Sequence, residues 1–496
     1  MENSAGSYVG TRLLARNTLL NLVGQGAPLV VAVVAIPILI PRIGTDRFGL
    51  LVIAWAVLGY FSLFDVGLGR SLTQLVAERL GSDRRDGIPA LARTGLFMMA
   101  GVGLLGGAVL HILSPLLVFR ILNLPSALEV ETLIALRLLA LAVPFVVVTA
   151  GLRGILEAVQ WFGWVNAIRV PQGIFTYLGP LAVLPYSRSL PAMVAALVVI
   201  RFVVWLAYGL VSLRAFPELR IPIGFQRSEA RSLLRLGGWI TVSNVVGPLM
   251  VYLDRVLIGA VLTAAAVAYY ATPFEVVSRL WIIPGAIVGV FFPAFATSFS
   301  LDRDRAARLF RDSARAVLLC VFPLAFVLMA LAPDALGVWV GVEFAVPGAP
   351  VARWLLLGVV MNALAHIPFG LIQGIGRPDI TAKLHMVEAP FYFALLWWLL
   401  SAYGITGAAM AWTFRATVDA LLLFWLSSRL LPETRSESLR LMVWTAGALG
   451  VLGATLLPVD DPLMRTLFLG VLFIVSVGAA WHRLLPTAIR VRLKRS

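Results

Sequence analysis

Residues 191–213 read PAMVAALVVIRFVVWLAYGLVSL, twenty-three residues with one charge, Arg201, at their middle. A helix needs about 20 mostly apolar residues to cross the hydrocarbon of a bilayer. Working outward, comparable runs fall near 17–40, 49–68, 95–113, 133–150, 170–185 and 237–262, and then near 267–294, 316–332, 354–375, 384–400, 406–426, 441–457 and 463–481. The composition agrees: 60% of the 496 residues are hydrophobic and 13% charged, and the mean hydropathy is +0.93. Soluble domains are nearer 45–50% apolar and about 25% charged. The expected fold class is therefore an all-α polytopic membrane protein of about fourteen transmembrane helices. No length remains for a large domain outside the bilayer. The first run follows a polar tail and lacks a small-residue cleavage site, so it reads as a retained helix and not a signal peptide. Cys320 is the single cysteine, which rules out a disulfide framework or a paired-cysteine metal site.

The formal charge of +15 rests on 40 basic residues, of which only Lys383 and Lys494 are lysines. With fourteen spans both termini lie on one side, and 28 of the 40 fall in segments on that side, including Arg79, Arg84, Arg85, Arg93, Arg153 and Arg169. Five lie opposite: Arg42, Arg47, Arg120, Arg188 and Arg465. The positive-inside rule then makes both termini cytoplasmic. The scatter of these charges, without a recognition module, argues for orientation and anionic headgroups and against nucleic acid.

The two halves resemble each other. Asn21-Leu22-Val23-Gly24 recurs as Asn244-Val245-Val246-Gly247, and Asp83-Arg84-Arg85-Asp86 as Asp302-Arg303-Asp304-Arg305. Gly154–Gln160 parallels Gly370–Gly376, Arg137 parallels Arg353, and Arg201 falls opposite Arg415. The ordered, slowly drifting offsets indicate duplication. Six spans per copy is even, so the copies share an orientation and are related by an axis along the membrane normal. The expected organisation is an N-lobe at 1–215, a cytoplasmic linker at 216–236, a C-lobe at 237–430, and two extra helices with a basic tail at 431–496. A central cavity separates the lobes.

Seven basic residues remain within spans: Arg70, Arg137, Arg201, Arg255, Arg279, Arg353 and Arg415. A charge at the bilayer centre costs about 2.5–3.5 kcal/mol on insertion scales, so such groups face a cavity or a partner. Arg70, Arg137 and Arg353 lie near span ends, where they can snorkel. Glu275 and Arg279 share a helix face at a spacing of four, as do Arg415 and Asp419. Arg201 has no acid three or four positions away, and Arg255 has only its neighbour Asp254, which the helix directs elsewhere. Interhelical pairing and anion binding in a cavity both account for this set. Arginine suits phosphate and pyrophosphate because its planar fork stays charged and donates paired hydrogen bonds. Asn17, Asn21 and Gln25 form a polar stripe on the first span and Asn244 opens the seventh, serving either interhelical hydrogen bonds or a substrate-facing wall. Asp65, in the Asp65-Val66-Gly67-Leu68-Gly69 break, is a coupling site or a capping carboxylate. Asp254, Glu275 and Asp419 are further coupling or gating candidates. His366 beside Pro368 is a packed residue in the simplest view.

No catalytic constellation appears. Neither lysine follows glycine, so a Walker A loop is absent. The longest external loops, near 114–132 and 333–350, hold no histidine, and no metal-ligand spacing occurs.

The stretches Ala15–Asn21, Pro37-Ile38-Leu39, Arg42-Ile43-Gly44 and Phe64–Leu68 resemble the first two helices of the bacterial polysaccharide transporter (O-antigen flippase-like) family. Tyr252–Gly259, Phe292-Pro293-Ala294, Gly376–Asp379 and Tyr403–Ala409 continue the resemblance through about Arg429. That family belongs to the superfamily of multidrug extruders and the lipid II flippase. The resemblance implies translocation of undecaprenyl-pyrophosphate-linked oligosaccharide from the cytoplasmic to the periplasmic leaflet by alternating access. It also implies a bacterial inner-membrane location, partners among polysaccharide-pathway glycosyltransferases and polymerase, no cofactor, and a proton or sodium ion as coupling cation. Arg201, Arg415, Arg255 and Arg279 would hold the pyrophosphate and the polar stripe the glycan. A cation-coupled drug or small-metabolite extruder, a lipid II flippase and a scaffold without transport are the alternatives. An extruder of cations would favour carboxylates and aromatics, whereas the deepest charge without a sequence-near partner is basic.

Overall fold

The computed structural model describes residues 11–63, 67–81, 87–220, 224–457 and 461–484. Among them there is no strand. The first eight helices are α1 (Thr11–Ile43), α2 (Thr45–Leu63), α3 (Leu68–Gly81), α4 (Ile88–Leu116), α5 (Ser126–Ala158), α6 (Phe162–Val183), α7 (Leu190–Ala215) and α8 (Arg227–Val261). The rest are α9 (Ala264–Val277), α10 (Ile282–Leu301), α11 (Arg303–Ala330), α12 (Ala332–Val340), α13 (Val342–Gly374), α14 (Pro378–Leu430), α15 (Arg435–Ala454) and α16 (Pro462–Leu484). Among the described residues, nine helical stretches are long and apolar enough to cross a membrane, which makes this a multi-pass membrane protein.

Helix α14 counts once in that number but is two helices. Gly404 has φ +58° and ψ −144°, outside the helical region. His385 and Asp419, 34 residues apart, would be about 51 Å apart along one straight helix. Their side chains lie 3.5 Å from each other, so the chain turns back at Gly404. A positive φ there suits glycine, which has no Cβ to clash.

The described residues fall into two compact units divided between Ala268 and Tyr269. In the first, α5 packs on α2, α3, α4 and α7, while α8 packs on α2, α3 and α4. In the second, α13 packs against α10, α11, α12 and α14. Packing therefore groups α8 with the helices before it, whereas the sequence repeat opens its second copy there.

Helix α7 shows how these sequences bury themselves. Val199, Val203, Leu206 and Leu210 are exposed along one stripe, the face expected to meet lipid chains. Leu197, Val204, Tyr208 and Val211 are buried along the opposite stripe. Val204, Tyr208 and Val211 form a core with Leu152, Leu156 and Val165, where the Tyr208 hydroxyl donates to the Val165 carbonyl at 3.1 Å. Arg201 follows Leu197 by four residues and precedes Tyr208 by seven, which puts it on the buried stripe.

The repeat is visible as element geometry. Helices α5 and α13 are each 33 residues long and begin 216 positions apart, and α6 and α14 begin 216 apart as well. Both members of the first pair end in the same cap. Val159 and Ile375 have φ/ψ of −85°/7° and −82°/7°, followed by positive φ at Gln160 (60°) and Gly376 (80°). The next amide in each closes a six-residue ring, Trp161 N–H to Leu156 O at 2.9 Å and Arg377 N–H to Ile372 O at 3.1 Å. Gln160 is the one described non-glycine residue with positive φ. The prediction is that Gln160→Gly stabilises the fold slightly, by about 1 kcal/mol, because the left-handed penalty on a Cβ is of that order; thermal unfolding in detergent checks it.

Two expectations need correction. The segments 114–132 and 333–350 are not long loops. α4 runs to Leu116, a π turn covers Leu117–Ile121, and α5 starts at Ser126. α12 and the start of α13 fill the second segment. Pro333 sits in the first turn of α12, where the missing N–H costs nothing, so proline there opens a helix and does not mark a loop. Likewise Asp302 caps α11, its side chain accepting the Arg305 N–H at 2.8 Å.

Several terminus-side arginines tie elements together. Arg79 on α3 donates to Glu229 on α8 at 2.6 Å and to the Gly87 carbonyl at 2.5 Å. Glu229→Ala is expected to loosen α8 from α3 at a cost of about 1–2 kcal/mol, since hydrogen bonds to charged groups contribute about 1.5–3 kcal/mol and this one is partly solvated. A lowered thermal midpoint, with the mutant losing the wild type's sensitivity to salt, is the expected readout.

Candidate functional site

In the first unit, side chains from four helices meet around a cavity of about 40 Å³. Ser62 comes from α2, Thr149 and Arg153 from α5, Arg169 and Gln172 from α6, and Arg201 from α7. By the volume one water needs, the space takes an anionic group about three waters in size. Arg153 lies 3.5 Å from Glu157, one turn on along the same helix, and both are more than a third exposed. Arg201 has no acidic partner among the described residues, on its own helix or on another. Three arginines line this cavity together with the apolar Val146, Ala150 and Val204, and a single carboxylate lies near, an arrangement that suits an anionic group.

The second unit holds a different cluster on the two limbs of α14. His385 and Glu388 lie on the limb before Gly404, and Asp419 and Arg415 on the limb after it. The ligand atoms of His385, Glu388 and Asp419 all fall within 4.8 Å of one another, with His385 Nε2 3.5 Å from Asp419 Oδ1. Glu388 and Asp419 are buried. His385 stacks on Phe369 of α13, ring centroids 6.0 Å apart and planes 12° apart. Arg415 is half-buried, its guanidinium 5.6 Å from the Tyr392 ring centroid.

The sequence-predicted residues divide as follows. Arg279 pairs with Glu275, as their spacing predicts, where the backbone tightens into a 3-10 turn at Ser278–Trp281. Arg415 and Asp419 form no ion pair with each other; Asp419 Oδ1 instead lies 3.5 Å from His385 Nε2. The returning limb of α14 brings His385 nearer than a residue one turn away on the same helix. Arg255 is also corrected. Its guanidinium curls back to Asp254 Oδ1 at 2.8 Å and donates to the Val251 carbonyl, and the pair is buried. A flexible stem lets arginine reach a carboxylate that the helix directs elsewhere. Asp254 Oδ1 accepts the Arg255 N–H as well, at 2.7 Å. His366 is packed, its Nδ1–H donating to the Asn362 carbonyl at 2.8 Å. Asp65 lies outside the described residues, as do the side chains of Asn17, Asn21, Gln25 and Asn244.

Sequence reasoning missed Arg153 and Arg169 as cavity residues, because both were counted among orienting charges. It also passed over His385 and Glu388. The repeat could have found three of the four: at the offset of 216 shared by the helices, Arg169 corresponds to His385 and Gln172 to Glu388, whereas Arg153 falls on the apolar Phe369. The same place in each copy carries the polar cluster, basic in the first unit and acidic in the second.

The protein family described as Polysaccharide biosynthesis protein matches residues 42–346. A putative O-antigen transporter of Shigella flexneri is 31% identical over 420 residues, 84% of this chain and 98% of that protein. Among solved structures, the lipid II flippase MurJ in an inward closed conformation aligns with a TM-score of 0.73 over 94% of this chain and 100% of its own, at 11% identity. A multidrug resistance MATE family transporter of the MOP superfamily, inward-facing, gives 0.67 over 84% and 99%, at 14% identity. At those identities the likeness is one of fold. This chain is a membrane transporter and not an enzyme. It belongs to the polysaccharide biosynthesis protein family, the bacterial polysaccharide transporters resembling O-antigen flippases that the first-span and Asp65–Gly69 motifs resemble.

Proposed function

We propose that this protein carries undecaprenyl-pyrophosphate-linked oligosaccharide from the cytoplasmic to the periplasmic leaflet of a bacterial inner membrane by alternating access. The observation that supports it is the cavity where Arg153, Arg169 and Arg201, from three helices, surround space for an anionic group. A pyrophosphate offers the paired oxygens that arginine forks recognise. The glycan would follow the polar stripe of Asn17, Asn21 and Gln25, while the polyprenyl tail stays in lipid. The excess of arginine on the side of the termini supports their cytoplasmic placement.

Outward movement of an anion across an inside-negative potential is favourable by about 2.3 kcal/mol per charge per 100 mV. A doubly charged headgroup gains roughly 4–5 kcal/mol at that potential, enough to drive the cycle without ATP. Depleting the protein in its host is expected to accumulate undecaprenyl-linked oligosaccharide in the inner membrane, read by mass spectrometry of extracted lipids. An unaltered lipid pool with new drug sensitivity would replace this reading by that of an extruder.

A further inference from the structure

We propose that Glu388, Asp419 and His385 hold one exchangeable proton inside the second unit, so that this unit takes up and releases the proton that couples the cycle to a pH gradient. The inference rests on the reading of the protein as a transporter and adds a site to it. Two carboxylates and an imidazole lie within 4.8 Å of one another. Glu388 is 8% exposed and Asp419 4%. Neither oxygen of Glu388 has a hydrogen-bond partner, and Asp419 Oδ1 has none. Two adjacent buried carboxylates cannot both stay ionised. A proton on Glu388 removes one charge and supplies the donor that Asp419 Oδ1 lacks. The His385 imidazole, with Nε2 3.5 Å from Asp419 Oδ1, offers that proton a second holder.

The other ionisable groups near the cluster are few. Arg415 lies on the limb of α14 that carries Asp419, and His366 lies on α13. The other ionisable groups of α13, Glu343 and Arg353, lie more than three turns from His366. Those of α15, Arg435, Glu437 and Arg440, are confined to its first two turns, where Glu437 pairs with Arg315 and Arg440. Glu433 lies in the turn before them. One proton shared by the two carboxylates leaves a single negative charge on the pair. The repeat adds a reason for the placement: the same position in the first unit holds the arginine cavity, so the two copies have diverged into an anion site and a proton site.

The test is infrared difference spectroscopy of the purified full-length protein between about pH 5 and pH 9, a window that brackets the ordinary imidazole pKa. Wild type is expected to show a protonated-carboxyl C=O band that titrates, and Glu388→Gln to lack it. Asp419→Asn, which keeps the shape of the site, is expected to shift the band, and it serves if the first variant folds poorly. In vesicles clamped at zero potential, one pH unit is expected to move the distribution of a fluorescent undecaprenyl-pyrophosphate oligosaccharide about tenfold with wild type, and not at all with Glu388→Gln. A band that persists unchanged in both variants, or one equivalent of divalent metal retained by wild type and lost in Glu388→Gln, overturns the proposal. If wild type moves no lipid-linked glycan under either driving force while the band behaves as expected, the substrate is wrong and the proton site stands.

Discussion

Arg201→Ala is expected to leave the protein folded and inserted and to cut flipping of a pyrophosphate-linked glycan by roughly thirty- to several thousand-fold. The estimate follows from the loss of a charged partner to a desolvated anion, about 2–5 kcal/mol, at 1.4 kcal/mol per factor of ten. Folding is spared because Arg201 makes no ion pair among the described residues, so its removal strands no buried carboxylate. Arg201→Lys keeps the charge and loses the planar fork, and is expected to fall between the two. Proteoliposome flipping normalised to folded protein by size-exclusion chromatography measures this. Unchanged transport in Arg201→Ala would remove the residue from the substrate path.

A large structural effect is expected at Gly407. A Cβ placed there would stand 1.9 Å from the Leu399 carbonyl oxygen, a backbone atom that cannot turn aside as a side chain could. Gly407→Leu should destabilise the second unit by about 3 kcal/mol or more, at or beyond the upper end of overpacking costs. It should also separate His385 from Asp419, which meet only because α14 folds back beside this residue. Loss of the monodisperse chromatographic peak is the expected result. Gly447→Ala in α15, where a Cβ meets nothing within 4 Å, is the control and should be neutral or slightly stabilising.

Hydropathy carried the helices because period and length act locally: each apolar run is helical over most of its described residues, and Arg201 declared itself by its depth alone. Side-chain partners were legible only where one helix supplied both members, as in Glu275–Arg279. Asp419 meets His385 through a turn at Gly404 that apolar flanks conceal. Arg255 pairs with Asp254 because a flexible stem overrides helix direction. Arg153 and Arg169 looked like orienting charges because they flank the connection between two spans; α5 runs on to Ala158 and α6 starts at Phe162, so Arg153 in the last turns of one and Arg169 early in the other both reach the cavity wall. The repeat held more than was taken from it, since its offset joins Arg169 to His385 and Gln172 to Glu388, a basic cluster in one unit and an acidic one in the other.

The central claim is that a pyrophosphate-linked glycolipid crosses the bilayer through this protein. Purified protein in liposomes, with fluorescent undecaprenyl-pyrophosphate oligosaccharide and a leaflet-selective quencher, measures it directly. The account predicts protein-dependent transfer that speeds up when the destination side is made positive, and that fails for the same glycan on an uncharged polyprenyl ether. Equal transfer of charged and uncharged lipids, or none above protein-free liposomes, would contradict it.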